Sequence, residues 1–143
     1  MFTSRFYHTL EAKGRLAIPA VFREKLTSGG VITIGLDGCL FLFPNSYWQE
    51  LCSKLAALPL TNQAGRRFTR LLVQSAVDLA LDSQGRTSIP DFLKESASLK
   101  KQVVIAGALE RIEIWDRDRY HRHLNLISEE NPDWESGLKD LNI

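Results

Sequence analysis

The side chains of this chain best suited to chemistry are two arginines that each follow a short acid-x-x-Gly-Arg unit. The units are Glu11, Gly14 and Arg15 in the first half, and Asp82, Gly85 and Arg86 in the second. The acid can accept hydrogen bonds from backbone N–H groups of a turn, and the glycine permits the chain reversal. The arginine then presents a planar fork of five donors, which suits a phosphate or the O6/N7 edge of guanine. Alternatively, each arginine pairs with its own turn acid and only stabilises the turn.

Both units belong to a ten-residue block that occurs twice, at 10–19 and at 81–90. The blocks share Leu, Gly, Arg, Ile and Pro, whereas unrelated segments share about one residue in ten. The similarity continues downstream, where 31–36 matches 103–108 with one residue inserted in the second copy. A period near half of the chain is too long for a solenoid, so the repeat predicts two half-modules packed on each other.

Each copy predicts a strand, a turn, a second strand, a short helix, a β-hairpin and a longer helix. Apolar alternation indicates the strands, a proline begins each short helix, and the Asp-Gly pair at 37–38 is a hairpin signal. We expect Asn45 or Ser46 to cap the long helix of the first copy, and Asp116 to cap that of the second. A further helix over about 64–72 links the copies. The predicted fold class is therefore mainly β with capping α-helices.

This pattern divides the chain into four parts. They are a first repeat over 1–60, a linking helix over 61–73, a second repeat over 74–128 and an acidic tail over 129–143. The tail carries five acids and one lysine, a net charge of −4, so the rest of the chain carries +5 of the total of +1. A basic body is compatible with nucleic-acid binding, although many proteins carry such charge for solubility alone. Arg66, Arg67 and Arg70 are interpreted as a solvated helix face.

Several classes of function lack support in the sequence. Cys39 and Cys52 make no metal-ligand pattern and are predicted to be buried free thiols, so no metal or cofactor is expected. No apolar run reaches ~18 residues and no signal-peptide core is present, which predicts a cytoplasmic protein. His8 near Glu11 is the one polar pair that could do acid–base work. Because no known catalytic motif accompanies it, we expect no enzyme.

The doubled acid-x-x-Gly-Arg-x-x-Ile-Pro pattern, with LFLFP at 40–44 and IEIWD at 112–116, resembles the MraZ proteins. These are bacterial members of the SpoVT/AbrB-like group of DNA-binding domains, and the resemblance covers 1–128. It implies a double-split β-barrel built from two swapped-hairpin halves. It also implies a ring-shaped homo-oligomer that regulates transcription of the division and cell-wall gene cluster at tandem promoter repeats.

Residue by residue, the resemblance assigns DNA binding to four cations and turn formation to four other positions. The DNA-binding residues are Arg15, Lys13, Arg86 and Arg5; the turn-forming residues are Glu11, Gly14, Asp82 and Gly85. Double-stranded DNA and further copies of the chain are the implied partners, with no membrane and no small-molecule substrate. A DNA partner also implies a nucleoid-associated location. Glu11 stands where the family usually has Asp, which predicts a looser first turn. Gln84 replaces the lysine in the second copy, which indicates that the first copy makes the stronger phosphate contacts.

An interaction protein remains the alternative to a DNA-binding regulator. An antitoxin-like protein with the same swapped-hairpin architecture would use a long apolar and acidic tail to wrap its partner. The tail here is acidic and contains Trp134, but it is short. Capture of a stoichiometric partner in the absence of DNA would favour this alternative.

Overall fold

The computed structural model describes residues 1–128, 138, 140 and 141 of the 143-residue chain. The strands are β1 (Arg5–Thr9), β2 (Arg15–Ala17), β3 (Gly30–Ile34), β4 (Leu40–Pro44), β5 (Val77–Asp78), β6 (Arg86–Ser88), β7 (Gln102–Ala108) and β8 (Arg111–Asp116). The α-helices are α1 (Ala20–Arg23), α2 (Asn45–Ala56), α3 (Gln63–Gln74), α4 (Asp91–Ser96) and α5 (Arg117–Ser128). The fold is therefore mainly β with several helices, as predicted. The predicted acidic tail over 129–143 lies outside the described residues, apart from the three isolated positions 138, 140 and 141.

The two copies of the repeat share one six-stranded antiparallel sheet, in the order β1-β7-β8-β4-β3-β5. Exchanging equivalent strands of the two copies gives the same order read from the other edge of the sheet, so an internal two-fold axis passes between β4 and β8. Phe41 faces Glu113 at the centre of that pair. The first strand of each copy lies on the hairpin of the other copy, because β1 pairs with β7 and β5 pairs with β3. The described strands form this sheet and a separate two-stranded sheet of β2 and β6, without a closed barrel.

Both faces of the large sheet are buried, which divides the molecule into three layers. Along β4, Leu40 and Leu42 face one side, and Phe41 and Phe43 face the other. The first face packs against β2, β6, α1 and α4, where Phe22 contacts two further phenylalanine rings edge to face. The second face is covered by α2, α3 and α5. The turns of the repeat and the long helices therefore lie on opposite sides of the sheet.

The predicted cap of α2 is wrong. Pro44 occupies the N-cap position and provides no side-chain hydrogen bond to the helix. The side-chain amide of Asn45 instead donates from Nδ2 to the carbonyl oxygen of Ser28 at 2.7 Å, which ties the helix start to the loop before β3. The cap of α5 is confirmed, because Asp116 Oδ2 accepts from the backbone amide of Arg119 at 3.3 Å.

The two cysteines are free, as predicted, but their environments differ. Cys39 is buried, and this burial raises the pKa of its thiol well above the usual range. Cys52 is only half-buried and lines a groove between α2 and α3. In the part of the chain that the structure describes, no three His, Cys, Asp or Glu side chains are grouped so that they could hold a metal ion. None of the described helices is long and apolar enough to cross a membrane.

Candidate nucleic-acid interface

The two acid-x-x-Gly-Arg units form turns with the same backbone hydrogen bonds. In the first turn the amide of Glu11 donates to the carbonyl of Arg15 at 2.8 Å, and the amide of Gly14 donates to the carbonyl of Glu11 at 3.1 Å. The second turn repeats both bonds, at 2.9 and 3.0 Å. The glycines have φ angles of +73° and +75°, which side-chain-bearing residues adopt only with strain. The repeated motif therefore encodes the same turn twice.

The small β2–β6 sheet sets the position of one turn relative to the other. Leu16 faces Thr87 at its centre, and both side chains are buried against the large sheet. Because side chains alternate along a strand, the flanking residues Arg15 and Arg86 lie on the outer face. The structure thus places the two motif arginines on one surface of a β platform.

Arg86 is held by carboxylates from both turns. Its Nε donates to Asp82 at 3.0 Å, and its Nη1 donates to Glu11 of the other turn at 2.9 Å. Asp82 also accepts the backbone amides of Gln84 and Arg86, at 2.8 and 2.9 Å. The amide of Arg86, its guanidinium and the amide of Gln84 all lower the pKa of the Asp82 carboxyl, and Asp82 in turn raises the pKa of Arg86. Arg86 therefore fits the interpretation of a turn-stabilising arginine.

Arg15 occupies the equivalent position in the first copy but has no carboxylate partner among the described residues. Its side chain is half-buried, and its Nε is buried without a hydrogen-bond partner. The cause is Glu11, which reaches across to Arg86 instead of pairing with the arginine of its own turn. The two Nη groups of Arg15 form no ion pair with a described residue, and they are the donors left for an anionic ligand.

The first turn also differs from the second in its backbone. Asp82 accepts two amide hydrogen bonds within its turn, whereas Glu11 provides no side-chain cap. Lys13 is left with a φ of +66°, next to the positive φ of Gly14. The side chain of Lys13 is exposed, and it pairs with no carboxylate in the described part of the chain. The weaker capping of the first turn agrees with the effect predicted for Glu in place of Asp.

Arg5 lies apart from the two turns. It begins β1, six residues before Glu11, so the two positions are separated by about 20 Å of extended strand. Its guanidinium donates to the hydroxyl of Tyr120 on α5 at 3.2 Å, and this bond raises the pKa of Arg5. The structure therefore does not bring Arg5 together with the other three cations of the predicted site.

Two cations that were not assigned to the site lie over the turns. Lys94 of α4 approaches Gly14 of the first turn and pairs with Asp91 at 2.9 Å. Arg23 of α1 packs over Gly85 of the second turn and donates to the carbonyl of Ile18 at 3.0 Å. Each short helix thus covers the turn of the other copy. The signal for this pair is the 71-residue offset of the repeat, which aligns two basic residues on equivalent helices.

The acid–base pair considered for an enzyme is not assembled. His8 is half-buried, and this burial lowers the pKa of its imidazole. Among the described residues, Glu11 bonds to Arg86 and makes no hydrogen bond with His8. The geometry at this position therefore favours turn stabilisation over proton transfer.

The network around Asp82 predicts how the second turn responds to acid. A carboxyl whose pKa is depressed by folding stabilises the folded turn above its unfolded pKa, and that contribution is lost as the pH falls through the folded pKa. We expect the Asp82 carboxyl carbon, followed by NMR, to titrate below the usual value of about 3.9. The amides of Gln84 and Arg86 should shift with the same midpoint. An Asp82 that titrates at or above the ordinary value would contradict this assignment.

Comparison with known proteins agrees with the repeat. The family described as "MraZ protein, putative antitoxin-like" matches residues 1–71 and again 72–136. A protein named Transcriptional regulator MraZ from Limosilactobacillus reuteri is 45% identical over 143 residues, covering all of this chain and 99% of the relative. A protein of the same name from Lactobacillus gasseri is 41% identical over the whole of this chain and the whole of the relative. Another, from Carboxydothermus hydrogenoformans, is 45% identical over 87% of this chain and 87% of the relative. This chain belongs to the MraZ family.

Proposed function

We propose that this protein is a sequence-specific DNA-binding regulator of transcription, and that its first turn makes the principal DNA contacts. Relatives at 41–45% identity are named transcriptional regulators. The observation that carries the residue assignment is the difference between the two motif arginines. Arg86 is held by two carboxylates, whereas Arg15 has none and lies on the same outer face.

The chemistry of the first turn suits a DNA backbone and an accessible guanine edge. Arg15 supplies a fork that can donate two parallel hydrogen bonds to a phosphate or to guanine O6 and N7. Lys13 lies in the same turn, is exposed and pairs with no described carboxylate, so it can contact a phosphate as a point charge, whereas Lys94 already pairs with Asp91. Arg86 in this proposal positions the turns, because it links Asp82 of its own turn to Glu11 of the other.

The proposal includes a ring of several copies that binds tandem promoter repeats of the division and cell-wall gene cluster. A single turn offers few free cations, and phosphate contacts weaken steeply with salt. Several copies on repeated sites would gain affinity through effective concentration without any new contact. The exchange of first strands between the copies supports the two swapped halves that the family resemblance implies.

A titration of labelled DNA at several salt concentrations tests this function. One probe carries tandem G-rich repeats from upstream of the gene for this protein, and the other carries a scrambled copy. We expect the preference for the repeats to persist at physiological salt, with the logarithm of the binding constant falling linearly with that of salt concentration. Weak binding that is equal for both probes and vanishes with salt would contradict sequence-specific recognition.

A further inference from the structure

The edge strand β1 is accompanied by a line of cations that begins at the first turn. The backbone carbonyl of Lys101 accepts from the amide of Leu10 at 2.7 Å, which fixes the loop before β7 beside that turn. Lys100 and Lys101 line a groove that also contains Glu11. The same two lysines line a second groove with Arg117, at the start of α5. The two lysines therefore join the surface of the first turn to the surface of α5.

Aromatic side chains hold the far part of this line in place. The guanidinium of Arg117 lies 5.6 Å from the centre of the Tyr7 ring. Tyr7 is stacked on His121 with the ring centres 5.8 Å apart, and its hydroxyl lies 3.3 Å from His121 Nε2. Arg5, at the beginning of β1, donates to the hydroxyl of Tyr120 at 3.2 Å. The line of cations thus follows the whole of β1, over about 17 Å.

Four exposed cations of this line, which we call the basic strip, are free of ion pairs with described residues: Lys100, Lys101, Arg117 and Arg5. Five acids line the two grooves beside the strip. Three of them have ion-pair or backbone-amide partners elsewhere: Glu11, Asp91 and Asp116. Glu95 and Asp118 are the other two. The strip therefore keeps an excess of positive charge available to an anionic partner.

The equivalent surface beside the second turn carries none of these cations. The loop before β3, residues 27–29, is Thr-Ser-Gly, where the loop before β7 has its two lysines. α2 begins with Asn45, where α5 begins with Arg117. Arg5 of the first copy corresponds in the repeat to Ala76 of the second. Each cation of the strip is thus replaced by an uncharged residue in the other half of the molecule.

We propose that the basic strip continues the DNA contact of the first turn, so that the phosphate backbone of the duplex runs from Arg15 along β1 to Arg5. This inference rests on the proposed function, DNA binding by the first turn. Arg15 has no carboxylate partner among the described residues, whereas Arg86 is held by two. The strip lies beside Arg15, and the surface beside Arg86 lacks it. Two separate features therefore assign DNA contact to the same half, although the fold is internally symmetric.

The chemistry of the strip suits phosphates and not base edges. One DNA strand carries a phosphate about every 3.4 Å along the helix axis, so 17 Å of strip matches roughly five phosphates. Lysines act on phosphate as flexible point charges, and such contacts fix the position of a protein without reading the sequence. The strip should therefore raise the affinity for any DNA sequence equally, whereas Arg15 supplies the preference for the repeats.

The salt dependence of DNA binding by the double variant Lys100→Gln, Lys101→Gln tests the strip. Loss of two phosphate contacts should lower the slope of the logarithm of the binding constant against that of salt concentration by about 1.8. The same loss weakens binding about 30-fold at ~0.15 M salt, and it should be equal for the repeat and scrambled probes. Thermal unfolding should be unaltered, because both side chains are exposed and form no ion pair with a described residue. An unaltered slope would overturn the proposal.

The double variant Arg67→Gln, Arg70→Gln is the matched control. It removes the same charge from exposed positions of α3, which packs over β3 near the opposite edge of the sheet. Its slope should equal that of the unaltered protein. Equal reductions in the two double variants would show that net charge alone sets the slope, and would overturn the strip. Failure of the unaltered protein to prefer the repeats would overturn the proposed function and the strip with it.

Ethylation of single phosphates in the repeat probe locates the strip on the DNA. We expect ethylation to weaken binding of the unaltered protein at a run of about five adjacent phosphates, on one side of the guanine that Arg15→Ala no longer protects. In Lys100→Gln, Lys101→Gln, ethylation at two phosphates within this run should lose its effect. A run that is identical in this variant, or that extends equally to both sides of the guanine, would contradict the assigned path.

Discussion

Replacement of Arg15 by alanine should lower the affinity for tandem-repeat DNA about 5- to 150-fold per contact, because one bidentate contact contributes about 1–3 kcal/mol. The fold should remain intact, since Arg15 makes no ion pair with a described residue. A gel-shift titration measures the affinity, and thermal unfolding measures the stability. An affinity equal to that of the unaltered protein would show that the free guanidinium of Arg15 does not contact DNA.

Arg15→Lys distinguishes the bidentate hydrogen bonding of the guanidinium from the effect of its positive charge. Lysine keeps a cation for phosphate but cannot form the planar bidentate contact. We therefore expect this variant to retain binding to both repeat and scrambled probes while it loses much of its preference for the repeats. If the preference is retained, Arg15 acts on phosphate alone and another group reads the sequence.

Arg86→Ala, unlike Arg15→Ala, should lower the stability of the fold. This change leaves the carboxylates of Asp82 and Glu11 without their shared cation. We expect a lower melting temperature than for Arg15→Ala, together with weaker DNA binding, because an unpaired Glu11 brings negative charge to the first turn. Arg86→Ala with unaltered stability would contradict the positioning role assigned to this arginine.

The difference between the two arginines shows how far the sequence alone could lead. The repeat predicts the two equivalent turns, and the alternation along β2 and β6 is sufficient to place both arginines on one face. The partner of Glu11 could not be predicted in this way, because it lies 75 positions away in the other copy. The side chain of Glu is one methylene longer than that of Asp, and here it extends to Arg86 instead of capping its own turn. A small difference in side-chain length therefore removes the symmetry of the site.

The incorrect cap of α2 has a related physical cause. Asn45 and Ser46 are good capping residues by type, and their local sequence contains no sign of a competing partner. In the folded chain the side-chain amide of Asn45 donates to the carbonyl of Ser28, 17 residues earlier. Asp116 has a helix start of similar sequence character, and its carboxylate also accepts the Lys100 amide at 3.3 Å while it caps α5. Local capping patterns thus predict the helix, but tertiary contacts decide which side-chain atoms complete it.

The glycines of the two turns provide a prediction that links the stability of the fold to the site. A Cβ atom added to Gly14 would lie 2.9 Å from the backbone carbonyl oxygen of Ile89, and the φ of +73° is itself strained for alanine. Strain and overpacking together should lower the free energy of unfolding of Gly14→Ala by about 2–4 kcal/mol. Urea unfolding of the purified variant measures this loss.

Gly85→Ala is the matched comparison, because its φ of +75° costs the same conformational strain. The atoms that its Cβ would meet belong to the flexible side chain of Arg23, which can move away. The backbone carbonyl of Ile89, which a Cβ on Gly14 would meet, cannot move without distorting the β2–β6 ladder. We therefore expect Gly85→Ala to lose only about 1–2 kcal/mol. Equal losses in the two variants would mean that backbone strain alone requires these glycines. A larger loss in Gly14→Ala would show that the first turn, which carries Arg15, is held against the second copy by direct backbone contact.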